Sequence, residues 1–424
     1  MKGLKERLQQ TVLSSIDLTT EISDEELVEM IDQIIISKST ENYISMQEKK
    51  RLRKEIFNSI RRLDILQELV EDISITEIMV NGAEKIFIER KGLISPSSKY
   101  FESDQKLEDV VQQIVSLSNR IVNEANPIVD ARLTDGSRVN IVLPPIAMDG
   151  PVITIRKFPE NPITIDQLIE YESITVEAAE FLKNLVIAGY NIFISGGTGS
   201  GKTTFLNVLS NYIPSNERII TIEDSAELQI RNIPNLVRLE VRNANTEGNN
   251  GVTIRDLIKT SLRMRPDRII VGEVRDAAAI DMLQALNTGH DGSLSTGHAN
   301  SPADMLSRLE SLVLMGADIP LAAVRGQIAS AIDIIVHLGR LRDRSRRVIE
   351  ITEILDYKEN TIGLNPLYSF VEEGEVDGRV KGKLTRTNGL VKTGKLHHAG
   401  IKPEAISILN TPELEAVTAM YTPV

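Results

Sequence analysis

Gly196-Gly197-Thr198-Gly199-Ser200-Gly201-Lys202-Thr203 fills every fixed position of the pattern G-x-x-x-x-G-K-[ST]. The short apolar run Ile192-Phe193-Ile194 precedes it, and Thr204-Phe205-Leu206-Asn207-Val208-Leu209 follows with helical character. The order strand, glycine loop, helix is the one in which backbone N–H groups can turn inward around phosphate oxygens. The positive end of the helix then points at the same anion. Gly197, Thr198, Gly199, Ser200, Gly201, Lys202, Thr203 and Thr204 are therefore the expected nucleotide contacts. Lys202 is expected to reach the β and γ phosphates, and the Thr203 hydroxyl to ligate Mg²⁺. No Asn-Lys-x-Asp guanine reader occurs, which favours ATP.

Downstream, apolar runs alternate with helical stretches, the grammar of a parallel sheet wrapped by helices. Strands are predicted at Asn191 to Ser195, Arg218 to Glu223, Arg268 to Val271, Ser293 to Thr296 and Ile332 to Val336. Two of them deliver acids at their carboxyl ends, Glu223 and Asp224 with Glu227 in the next turn, and Glu273. Ligands of such sheets gather at that edge, so both acidic groups should face the phosphate loop. Hydrolysis needs a water-orienting carboxylate and support for Mg²⁺, and these residues are the candidates. His290 and His298 flank the fourth strand, and a histidine there could hydrogen-bond a γ-phosphate. After Leu338 short strands and Gly-rich turns suggest an antiparallel tail.

Upstream, Ser23-Asp24-Glu25-Glu26 reads as a capping box ahead of Leu27, Met30, Ile31, Ile34 and Ile35 at helical spacing. Helical patterns continue through Lys49 to Ile60 and Leu63 to Val70. Glu77 to Val80 and Lys85 to Glu89 then predict two strands about the turn Asn81-Gly82. A helix is expected from Leu107 to Val122, and further strands at Arg138 to Leu143 and Pro151 to Arg156. The expected organisation is a helical segment over 1–60, a compact α/β domain over 61–158, a Pro-punctuated linker over 159–175, and an ATPase domain over 176–424.

The chain has 424 residues, 48 Lys plus Arg against 60 Asp plus Glu, and a formal charge of −12. That balance, with 4% aromatics and no Trp for base stacking, argues against a DNA-handling motor. With no Cys there is no disulfide, thiolate nucleophile or thiolate-bound zinc. No run of about eighteen apolar residues is present, so a cytoplasmic protein is expected. Arg340, Arg342, Arg344, Arg346 and Arg347, and the stretch Arg379 to Lys395, read as a solvated charged face. Contact with anionic lipid or an acidic loop of a membrane partner is the sharper alternative.

The phosphate loop, the box Ile222-Glu223-Asp224-Ser225-Ala226-Glu227-Leu228, the box Val271-Gly272-Glu273-Val274-Arg275-Asp276 and the double-His segment together resemble the type II/type IV secretion ATPase superfamily. Asp130-Ala131-Arg132, Gly136-Ser137-Arg138-Val139-Asn140 and Thr288-Gly289-His290-Asp291-Gly292-Ser293 are most similar to its CpaF branch, the motors of tight-adherence pili. The resemblance implies a RecA-like P-loop ATPase domain preceded by a smaller PAS-like α/β domain. It also implies a homohexamer at the cytoplasmic face of the inner membrane, driving a membrane platform protein of a pilus or secretion machine. Within it Glu227 matches the general base, Glu273 a residue that helps hold Mg²⁺, and His298 a side chain near the γ-phosphate. Arg138 and Arg156 resemble arginines that reach the phosphates when two domains close. Arg263, Arg265 and Arg275 are rivals for that role or for a contact supplied by a neighbouring subunit.

Overall fold

Alternation of apolar and polar residues decides the first half of the molecule, and continuous apolar runs decide the second. The computed structural model describes residues 2–16, 22–39, 43–90, 92–117, 121–158, 162–242 and 251–402. The chain divides into two compact units, Met1–Glu160 and Asn161–Val424.

The first unit opens with helices α1 (Lys2–Ser15), α2 (Asp24–Ser39), α3 (Met46–Arg61) and α4 (Ile65–Glu71). Glu26 N donates to Ser23 Oγ and Ser23 N donates to Glu26 Oε2, which is the capping box expected from the sequence. Leu8, Val12, Leu27, Ile31, Ile35 and Ile56 form one core between α1, α2 and α3. The sheet strands follow as β1 (Glu77–Asn81), β2 (Lys85–Arg90), β3 (Leu93–Pro96), then α5 (Asp104–Leu117), β4 (Ile128–Arg132), β5 (Arg138–Val142) and β6 (Val152–Arg156). Among the described residues the order is β3-β2-β1-β6-β5-β4, all neighbours antiparallel. Alternate residues of β1, β5 and β6 face a second core that α4 and α5 cover, with Ile78, Val80, Ile141 and Ile153 buried. The helix expected to run to Val122 is described to Leu117. Residues 118–120 lie outside the described set, and Asn123 already forms a bridge with Asn126.

In the second unit α6 (Ile165–Glu170) and α7 (Val176–Ile187) lead to β7 (Ile192–Gly196), α8 (Lys202–Ser210), β8 (Ile219–Glu223), β9 (Leu236–Glu240) and α9 (Ile254–Ser261). Next come β10 (Arg268–Val271), α10 (Ala278–Leu286), β11 (Leu294–Gly297), α11 (Pro302–Leu314), α12 (Leu321–Ala331) and β12 (Ile334–Arg340). Last are β13 (Arg346–Lys358), β14 (Thr361–Val376), β15 (Arg379–Arg386) and α13 (Gly394–His398). One sheet runs β15-β14-β13-β12-β7-β11-β10-β8-β9, parallel from β12 to β9 and antiparallel from β12 to β15. β7, β8, β10 and β11 are buried along their whole length, as helices on both faces require.

Two expectations are corrected here. Residues 162–175 are no linker: Thr164 and Gln167 form a capping box on α6, and Leu168 and Ile174 are buried in the core of the second unit. Residues 159–161 lie outside the described set. The tail after Leu338 is not a set of short strands, since β13 spans 13 residues and β14 spans 16, and both continue the main sheet. Its end, residues 403–424, lies outside the described set.

Candidate nucleotide site

The glycine loop joins β7 to α8, and its conformation explains its composition. A Cβ on Gly196 would lie against Leu338 O and 2.6 Å from Ser200 Oγ, so the backbone of β12 can approach only glycine. Gly201, at φ +96°, is the N-cap of α8 in the left-handed region. Ser200 is buried and its Oγ donates to Gly197 O at 2.9 Å, while Gly197, Thr198 and Gly199 are exposed. Thr203 and Thr204 sit half-buried in the first turn of α8.

Lys202 is buried, and its ammonium donates to Gly196 O at 3.1 Å and Gly197 O at 3.0 Å. Burial holds its pKa below the usual lysine range, with Glu273 opposing the shift. The same ammonium stands 3.2 Å from His298 Nδ1. On the other side of the ring, His298 Nε2 is 3.1 Å from Glu273 Oε1, close but not aligned as a hydrogen bond, which leaves Oε1 buried and unpartnered. Arg275 completes the row: it donates to Glu273 Oε2 at 2.7 Å and lies 3.6 Å from Asp224 Oδ2. Burial, then the Lys202 charge, lower the His298 pKa, so the ring is neutral at neutral pH.

Glu223, at the end of β8, is 2% exposed. Its Oε2 accepts from Glu227 N at 2.7 Å and Leu228 N at 2.9 Å, fixing the turn that carries Glu227. Its Oε1 is buried without a hydrogen-bond partner, and burial raises its carboxyl above the usual range. Glu227 itself is half-buried and lies in the electrostatic reach of Arg275. The parallel strands thus bring the glycine loop, both acidic boxes and His298 to one edge.

His290 does not join them. It precedes β11 at the opposite edge, where its Nδ1 lies 3.1 Å from Ala285 O. Arg263 and Arg265 are exposed just before β10 begins, also at the opposite edge, so they do not reach this site within the chain. Arg138 and Arg156 stand opposite one another in register on β5 and β6 of the first unit.

Two residues of this neighbourhood carry no sequence motif. His337 on β12 is buried with its Nδ1 2.9 Å from Ser195 Oγ, one residue before the glycine loop. Arg346 is exposed, yet its Cδ lies 3.7 Å from the position a Cβ would take on Gly201. In the sequence Arg346 is lost in a run of alternating arginines. Of that run, Arg342 pairs with Glu372 and Glu375, and Arg347 is buried against Glu172 and the Phe370 ring.

The residues fit a nucleotide with a divalent cation. The loop is a cradle that a Cβ at Gly196 would fill, and two buried carboxylate oxygens, Glu223 Oε1 and Glu273 Oε1, have no hydrogen-bond partner. Hard oxygen donors of this kind suit Mg²⁺.

The profile of the family described as "Type II/IV secretion system protein" matches residues 60–388. The chain belongs to that family. It is 36% identical to the putative conjugal transfer protein Rv3659c of Mycobacterium tuberculosis over 293 residues, covering 68% of this chain and 83% of the relative. It is 34% identical over 303 residues to the conjugal transfer protein TrbB of Rhizobium radiobacter, covering 70% and 89%. A solved structure, the VirB11 ATPase from the Brucella suis type IV secretion system in complex with sulphate, shares 28% identity over 68% of this chain and 91% of its own, with a TM-score of 0.37. No helix among the described residues is long and apolar enough to cross a membrane.

Proposed function

We propose that this member of the type II/IV secretion family is an ATP-hydrolysing motor subunit. The observation that carries the reading is the row Lys202, His298, Glu273, Arg275, assembled at one sheet edge from elements nearly a hundred residues apart. Lys202 and the loop amides bind the phosphate tail, and His298 stands where it can sense the terminal phosphate. Thr203 and Glu273 would hold Mg²⁺. Bound there, the ion supplies positive charge that neutralises the phosphoryl oxygens. Glu227 orients and deprotonates the attacking water, in a turn held by Glu223. Negative charge building on the phosphoryl group is met by Lys202 and by arginines, a preorganised arrangement of large catalytic effect.

The finer reading follows from the resemblance to the CpaF branch: a RecA-like domain with a PAS-like partner, in a homohexamer at the cytoplasmic face of the inner membrane, acting on a membrane platform protein. The relatives named for conjugal transfer support a place in a macromolecular transfer machine. Arg138 and Arg156 belong to this proposal as cations brought to the phosphates. Phosphate release from ATP and Mg²⁺ tests it. Lys202→Ala and Glu227→Gln should each reduce turnover on the order of a hundredfold. Turnover near wild type in either variant removes the assigned site, and unchanged turnover and nucleotide affinity in Arg156→Ala removes the arginine clamp.

A further inference from the structure

His337 lies on β12, 7% exposed, and has no place in the chemistry proposed above. Its ring nonetheless touches two segments that do. On one side Nδ1 is 2.9 Å from Ser195 Oγ, and Ser195 is the residue in register with it on β7, directly before the glycine loop. On the other side the ring hydrogen-bonds to the Asn300 backbone, two residues after His298. That contact favours the protonated ring, as a carbonyl acceptor does, so Nε2–H donates there and Nδ1 keeps a lone pair for the Ser195 hydroxyl. The pairing of β12 with β13 shifts register between His337 and Leu338, where the strand meets the loop. Irregularities of this kind re-aim side chains beside functional sites.

Two ties therefore join the phosphate loop to the segment that carries His298. The outer one is Lys202 Nζ against His298 Nδ1, at 3.2 Å. An ammonium has three protons, and Gly196 O, Gly197 O and His298 Nδ1 occupy all of them. A phosphate tail in the cradle must take at least one, so the outer tie competes with the ligand. The inner tie runs from Ser195 through His337 to Asn300. It uses a buried side chain and none of the loop groups that grip phosphate.

We propose that His337 is a positioning residue, which holds the His298 segment in register with the phosphate loop once Lys202 turns to the nucleotide. The inference rests on the ATP-hydrolysing reading of this site. His337 acts through His298 and touches no reacting atom. Turnover therefore depends on it, while ground-state binding by the loop amides and Lys202 does not.

Steady-state phosphate release beside titration with a fluorescent ATP analogue, run on the 424-residue chain, tests it. His337→Phe keeps a buried ring without its nitrogens, and should lower kcat about tenfold while nucleotide affinity stays within about twofold of wild type. Ser195→Ala cuts the same tie with a smaller change, should lower kcat about threefold, and decides the matter if His337→Phe does not fold. In a His298→Ala background either substitution should cost no further turnover, whereas a general loosening of the core would add its own loss. Wild-type kcat in Ser195→Ala and in folded His337→Phe overturns the proposal. So does a loss that falls on affinity rather than kcat, or one that adds in full to that of His298→Ala. Lys202→Ala, measured alongside, separates the two levels. Turnover there equal to wild type, or none in wild type, removes the hydrolysis reading and the positioning role with it. Turnover lost there but kept in the His337 and Ser195 variants removes the positioning role alone.

Discussion

Lys202 Nζ stands 3.2 Å from His298 Nδ1, although 96 positions separate them in the chain. An ammonium has only protons to give, so Nδ1 must present its lone pair and the imidazole proton resides on Nε2, facing Glu273. Cation, neutral ring, carboxylate and the Arg275 guanidinium therefore alternate along one edge.

Glu223 should act through the turn it holds. Glu223→Ala strips the buried Leu228 N–H and the half-buried Glu227 N–H of their acceptor and should cost about 1–3 kcal/mol of stability. Turnover should fall with it, because Glu227 is released. Glu223→Gln retains a carbonyl oxygen for the same two amides and should lose much less. Urea midpoints measured beside phosphate release separate the two effects, and equal losses in both variants would exclude the positioning role.

Gly196→Ala should destabilise the second unit by about 1–3 kcal/mol, since the added methyl meets the β12 backbone rather than a movable side chain. Thermal unfolding reads the loss directly. An unchanged midpoint would mean that β12 yields at Leu338.

Arg346→Ala should leave folding within about 0.5 kcal/mol, as befits an exposed side chain, while weakening nucleotide binding several-fold. Titration with a fluorescent ATP analogue measures this. Affinity equal to wild type would return Arg346 to the solvated face.

Acid should destabilise the second unit through the half-buried His298 and the buried His337. Burial lowers the pKa of both His298 and His337, the latter against the opposing pull of Glu350 and Asp304. Below about pH 6.5, the ordinary histidine value, the unfolded chain binds more protons than the folded one. Stability is therefore full above that pH and declines as pH falls through it. Glu223, raised by burial, acts in the opposite sense just above the ordinary glutamate value. Comparing urea midpoints at pH 7.5 and 5.5 for wild type and His337→Gln isolates the histidine contribution, and the variant should show the smaller drop.

The sheet strands around the glycine loop are legible because they are short apolar runs buried on both faces. β9 escapes the same reading because only half of it is covered, with Arg238 and Glu240 exposed. β3 escapes because all four of its residues are exposed at a sheet edge. Gly-rich turns are expected in the tail, yet Gly363 and Gly382 lie inside strands. A Cβ on Gly382 would collide with the Val371 carbonyl, so the glycine marks close approach rather than a bend. Thr164 and Gln167 offered the signal that 159–175 is not a simple linker, and the flanking prolines obscured it. Lys202, Glu273 and His298 are visible as motifs. His337 and Arg346 are not, because their relation to the loop depends on β12 and β13 being carried beside it by strand pairing.

That pairing has a mechanical consequence. β12 is bonded to β7 from Ile334 with Ile192 through Leu338 with Gly196, and β13, β14 and β15 follow β12 in antiparallel succession, with register shifts at His337/Leu338, Ile351/Thr352 and Glu372/Gly374. A pull along the outer hairpins loads those rungs in shear, so many bonds bear it together. The outer strands are thus a stiff lever whose short arm ends at the phosphate cradle.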